Sequence, residues 1–220
     1  MKSRLLNFLL ILTLGEVQVF AYHSLFPTEV PQAVCKKQSK KKLNTWKKRE
    51  RLYKGFETVA IFDVLKCSDE VSMFMSYERA MLEGMDKETA KKSMCEALAD
   101  NQKELIFYML ADVREGRDLA LGKDKSPWRF WLKLNDGTQV LPSNINETMW
   151  TPELSEIFGK KHSSFKVLHK ITFPVSGSNE NFEHARLLSE PLQMVVRSTG
   201  CEKSINWPAE TRLVKREKAA

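Results

Sequence analysis

Between Phe165 and Val175 the chain alternates in character along most of its length. Phe165, Val167, His169, Ile171, Phe173 and Val175 alternate with Lys166, Leu168, Lys170 and Thr172. A period of two sends successive side chains to opposite faces of an extended chain, so this stretch predicts a β-strand with one buried face. The pattern recurs. Glu57–Lys66 is apolar on both faces apart from Asp63, and Leu105–Ala111 is a continuous apolar run. Trp128, Phe130, Leu132 and Leu134 alternate with Arg129, Trp131 and Lys133, Leu192, Met194 and Val196 alternate with Gln193, Val195 and Arg197, and Cys201–Trp207 supplies a last short strand. Asn135-Asp136-Gly137 sits between the fourth of these runs and Thr138–Leu141, where residues that accept positive φ favour a hairpin turn.

Only two long stretches repeat at helical spacing. Ser68 is placed as an N-cap, with Asp69 and Glu70 in the first turn and Val71, Phe74, Met75, Met81 and Leu82 forming an apolar stripe that Gly84 stops. Asp86 starts a second helix carrying Ala90, Met94, Ala97 and Leu98. Together they form a helical hairpin at about 68–99. A short third helix begins at Thr151-Pro152-Glu153 within a polar stretch. Six or seven strands without regular strand–helix alternation argue against a doubly wound parallel sheet. The expected class is α+β, mainly β: an immunoglobulin-like antiparallel β-sandwich with the helical hairpin inserted after its first strand.

Charge divides the chain. Its net charge of +7 is the sum of unlike parts. Residues 36–54 hold ten basic residues and one acid, residues 55–211 hold 19 basic and 24 acidic residues, and the tail 212–220 holds four basic and one acidic. Attraction to polyanions therefore belongs to the ends. Residues 22–54 read as a basic flexible linker, 55–211 as the β-sandwich domain and 212–220 as a basic tail. Lys36, Lys37, Lys40, Lys41, Lys42, Lys47, Lys48, Arg49 and Arg51 are candidate anion-binding residues, suited to anionic lipid or polysaccharide. Nucleic acid does not fit an exported chain.

Export is expected from the first 21 residues. Lys2 and Arg4 precede an apolar core from Leu5 to Leu14, and Val19-Phe20-Ala21 matches a signal-peptidase site. At about 1.5 Å per residue this core is too short to cross about 30 Å of hydrocarbon, so no transmembrane span follows cleavage; retention as an anchor is the alternative. The location is periplasmic or secreted. An oxidising compartment would permit two disulfides among Cys35, Cys67, Cys95 and Cys201, in any of three connectivities. Cys67 with Cys95, where helix packs on sheet, and Cys35 with Cys201, joining the ends, form one such set; four thiols form the alternative.

Tyr77-Glu78-Arg79-Ala80 and Leu82-Glu83-Gly84 in the helical hairpin, then Ser126-Pro127-Trp128, an alternating strand and Asn-Asp-Gly, resemble uncharacterised bacterial exported proteins, many of them lipoproteins. The resemblance spans roughly residues 57–200. It implies an envelope location with an immunoglobulin-like domain, and no activity. The chain departs from the lipoprotein members because no cysteine stands immediately after its signal core; the first is Cys35.

No motif marks a catalyst. His23, His162, His169 and His184 form no H-E-x-x-H pair, G-x-S-x-G is absent, and Ser39-Lys40-Lys41-Lys42 matches S-x-x-K only inside a lysine run. Gly122-Lys123-Asp124 lacks the rest of a phosphate-binding loop. His169, in an apolar row, reads as a core histidine. No catalytic residue, cofactor or metal ligand is assigned. The expectation is a non-catalytic envelope or secreted interaction module, or alternatively an anion-binding, surface-attached protein held by its basic N-terminal segment. The partner is an envelope protein or an anionic lipid or polysaccharide.

Overall fold

The computed structural model describes residues 43–101, 104–114, 121–122, 126–159, 166–174 and 190–209. All of them belong to one compact unit, Lys41–Glu210. The signal segment 1–21, the linker as far as residue 42 and the tail 212–220 lie outside the described residues. So do Cys35, Lys36, Lys37, Lys40, Lys41, Lys42, His23, His162 and His184.

The protein is mainly β, with two antiparallel sheets and a few helices. In chain order the elements are β1 (Lys47–Lys54), β2 (Glu57–Lys66), α1 (Asp69–Leu82), α2 (Lys87–Asn101), β3 (Glu104–Val113), β4 (Arg129–Lys133), β5 (Gln139–Val140), β6 (Asn144–Glu147), α3 (Pro152–Phe158), β7 (Val167–Pro174), β8 (Leu192–Ser198) and β9 (Cys201–Trp207). A five-stranded sheet runs β1-β2-β3-β7-β6, and a four-stranded sheet runs β5-β4-β8-β9.

Register explains how the two faces of the larger sheet divide. Residues directly opposed in an antiparallel ladder share a face. Val64, Met109 and His169 are successive partners across β2, β3 and β7, as are Lys66, Phe107 and Ile171. This face meets the smaller sheet. Phe62 on β2 packs edge-on against Trp128 at 5.2 Å and Phe130 at 6.1 Å, while Phe107 lies 5.1 Å from Trp207 on β9. One continuous core includes residues of both sheets. Phe62, Leu65, Phe107, Met109, Leu132 and Phe173 are all wholly buried. Removing a buried phenylalanine from such packing costs about 3–5 kcal/mol.

The helical elements follow their sequence signals. Ser68 Oγ accepts the Val71 N–H at 3.2 Å, so Ser68 caps α1. Asp86 accepts the Thr89 N–H at 2.9 Å at the start of α2, and Thr151 caps α3 by accepting from Leu154. Gly84, with φ +67°, ends α1 in the left-handed region that glycine enters most easily. The Asn135-Asp136-Gly137 turn closes β4 onto β5, with Gly137 at φ +87° donating to the Leu134 carbonyl at 3.0 Å.

Two strands depart from the expectation. β1 arises from Lys47–Lys54, a segment expected to be part of a flexible linker. Its like charges are spread over two faces, Leu52 is buried, and β2 pairs with it along its whole length despite a register shift between Leu52 and Tyr53. The folded body therefore begins before residue 55, and the helical hairpin follows the second strand instead of the first. β6 comes from the polar stretch after Ser143. Its residues are mostly exposed, and it is held by pairing Asn144–Glu147 with His169–Thr172 of β7.

Candidate functional site

Of the candidate anion-binding residues, the four that are described all fall on β1, an edge of the five-stranded sheet. Strand alternation splits them, with Lys47, Arg49 and Arg51 on one face and Lys48 on the other. Two have structural contacts. Lys47 donates to the Ile157 carbonyl at 2.6 Å, and Arg49 lies 4.0 Å from the buried Asp63 carboxylate. Glu50, the one acid of the strand, lies 3.6 Å from Lys203 of β9. Charges on an edge strand also obstruct pairing with foreign strands, so part of this composition protects the sheet.

At its far end β1 turns back into β2 through Gly55 and Phe56, closed by the Lys54–Glu57 pair. Gly55 has φ +62°, which lets the chain reverse in two residues. Phe56 is fully exposed, at 106%, and Tyr53 is 51% exposed. Arg51 and Lys54 are exposed beside them. The sequence signal for this tip is Lys54-Gly55-Phe56, a glycine turn between two runs that pair, but the surrounding lysines conceal the first run.

The base of β1 is tied into the core through Trp46, in a helical turn at residues 43–46. The Trp46 indole N–H donates to Glu70 at 3.0 Å, and its carbonyl accepts the Trp207 indole N–H at 2.7 Å. The buried Lys66 ammonium lies 4.9 Å from the centre of the Trp46 ring, within cation–π range. Residues assigned to the linker thus join β2, α1 and β9.

On the opposite face of the sheet, α1 and α3 are linked by Arg79, which donates to the buried Glu153 at 2.7 Å. Burial pushes the Glu153 carboxyl up. Hydrogen bonds from Thr151, from its own backbone and from Arg79, with the Arg79 charge, outweigh burial and leave it below the ordinary value. Tyr108, on the same face of β3, has its phenol pushed up, chiefly by burial. Arg79 belongs to the Tyr77–Ala80 run that carried the sequence resemblance, and here it joins two helices.

His169 is wholly buried on the inner face of β7, opposite Met109 and Glu147. Neither ring nitrogen has a hydrogen-bond partner among the described residues. Burial pushes its pKa down to about 4, with the Glu147 charge opposing, so the ring is neutral at pH 7. It is a core histidine, as the sequence suggested, but an unsatisfied one.

Cys67, Cys95 and Cys201 are thiols, and no disulfide joins the described cysteines. This corrects the Cys67–Cys95 pairing. Cys67 points into the core at the end of β2, whereas Cys95 is half-buried on α2. The pairing of Cys35 with Cys201 involves a residue outside those described. Among the described residues no three His, Cys, Asp or Glu side chains are grouped to hold a metal, and no helix is long and apolar enough to cross a membrane.

No protein-family model matches the chain, and no curated protein matches it. Among solved structures, a protein of unknown function from Burkholderia pseudomallei is similar over 79% of this chain and 86% of its own. The two are 12% identical, with a TM-score of 0.38.

Proposed function

We propose that the chain is an exported envelope or secreted protein that acts by contact, as an interaction module without catalytic activity. One observation supports the contact reading above the rest: the β1–β2 hairpin ends in an exposed tip carrying Tyr53, Phe56, Arg51 and Lys54. Aromatic and arginine side chains are the residue types that dominate binding surfaces. The export part of the proposal rests on Lys2, Arg4, the Leu5–Leu14 core and Val19-Phe20-Ala21, supported by the resemblance to bacterial exported proteins. Its architectural part is an immunoglobulin-like sandwich, supported by two antiparallel sheets sharing one core. Crosslinking of native envelopes after washing at low and at high salt tests this reading. A partner retained through high salt is expected, and recovery of uncrosslinked protein alone would contradict it.

A second reading is a surface-attached anion binder. It is favoured by the five cations and single acid of β1, which continue the basic run from Lys36. Attachment of that kind weakens steeply as salt rises, whereas a packed protein interface changes little.

A further inference from the structure

We propose that the β1–β2 hairpin tip docks on the surface of an anionic phospholipid bilayer, with Phe56 and Tyr53 entering the headgroup boundary and the neighbouring Arg51 and Lys54 facing lipid phosphates. This rests on the contact reading above and names its partner. Phe56 is completely exposed at the apex of a two-residue turn, so no part of its ring is shielded by the fold. A wholly hydrated phenylalanine gains free energy on transfer to any apolar boundary. Tyr53, half exposed on the same tip, has a ring and a hydroxyl suited to the wet edge of a bilayer. Near the turn the exposed cations are Arg51 and Lys54, whereas Lys47 is held by the Ile157 carbonyl, Arg49 lies beside Asp63, and the acid Glu50 is engaged by Lys203. Each cation near an anionic bilayer strengthens its attraction to the surface. Arg51, four residues before Gly55, is exposed and adds charge beside the aromatic pair. Charge and aromatic placement complement a negative surface with an apolar layer beneath it. A polysaccharide lacks that layer.

The test uses the full chain with sedimenting vesicles of phosphatidylcholine, alone or mixed with phosphatidylglycerol. Phe56→Trp places an environment-sensitive fluorophore at the tip, and Met149→Trp places one beyond β6, at the opposite edge of the sheet. With phosphatidylglycerol vesicles the emission of Phe56→Trp is expected to shift to the blue and that of Met149→Trp to stay unchanged. Phe56→Ser is expected to bind these vesicles about tenfold more weakly with an unaltered melting temperature, because the ring it removes is exposed. Arg51→Glu is expected to weaken binding as well. Sedimentation without a shift at position 56 would overturn tip docking and leave anion binding by other basic residues standing. Failure to sediment with phosphatidylglycerol vesicles would overturn the lipid partner, while crosslinking to an envelope protein would still uphold the contact reading.

Discussion

His169 is a neutral ring held among apolar side chains on the inner face of β7, with no hydrogen-bond partner among the described residues for either nitrogen. Its folded pKa of about 4 lies below the ordinary 6.5, so the unfolded chain binds the proton more readily. Its contribution to stability is complete above pH 6.5 and is lost as pH falls toward 4, amounting to about 3 kcal/mol at about 1.4 kcal/mol per pH unit. Urea denaturation between pH 7 and 4 should show His169→Leu losing less stability than the native chain; equal slopes would refute this. Glu153 acts in a lower window. Its pKa is depressed, so its stabilisation is present above the usual carboxyl value of 4.5 and disappears as pH falls through the depressed one. At pH 7, Arg79→Ala should cost of the order of 1 kcal/mol, read from the denaturation midpoint, because Thr151 and the backbone still bond the carboxylate.

At the scale of elements, β1 decides where the protein begins. Deleting residues 36–54 removes Leu43, Trp46 and Leu52 from the core and exposes the edge of β2, so the deleted chain is expected not to fold. Trp46→Ala alone should lower stability by about 3–5 kcal/mol, measured by chemical denaturation. A deletion of 36–54 that keeps a cooperative melt within a few degrees of the native one would restore the linker reading. β7, β8, the Asn135–Gly137 turn and the Ser68, Asp86 and Thr151 caps were legible because their signals are local: period-two alternation, a turn dipeptide, a capping side chain. β1 and β6 were not. Their backbones are held by partners distant in sequence, and charge at Lys47–Arg51 outweighs the single buried Leu52 as a local signal. The tip escaped notice for the same reason, since a hairpin cannot be seen until its first strand is. His169 was legible as a core residue but its missing partners were not, because hydrogen bonding depends on neighbouring strands.

Among the described residues, two sheets share one core and no bridge joins Cys67 to Cys95. Alkylation in denaturant without reductant, read by mass spectrometry, should modify Cys67, Cys95 and Cys201; a Cys67–Cys95 disulfide would contradict the structure. The opposite edges of the larger sheet also differ in kind. β1 is cationic and ends in exposed aromatics, while β6 is a short polar strand. The proposed contact surface is the β1–β2 hairpin. A photocrosslinking side chain placed at Arg51, and separately at the exposed Lys87 of α2, checks this in the native host. Adducts at position 51 with few at position 87 are the result expected, and adducts at 87 with none at 51 would contradict the account.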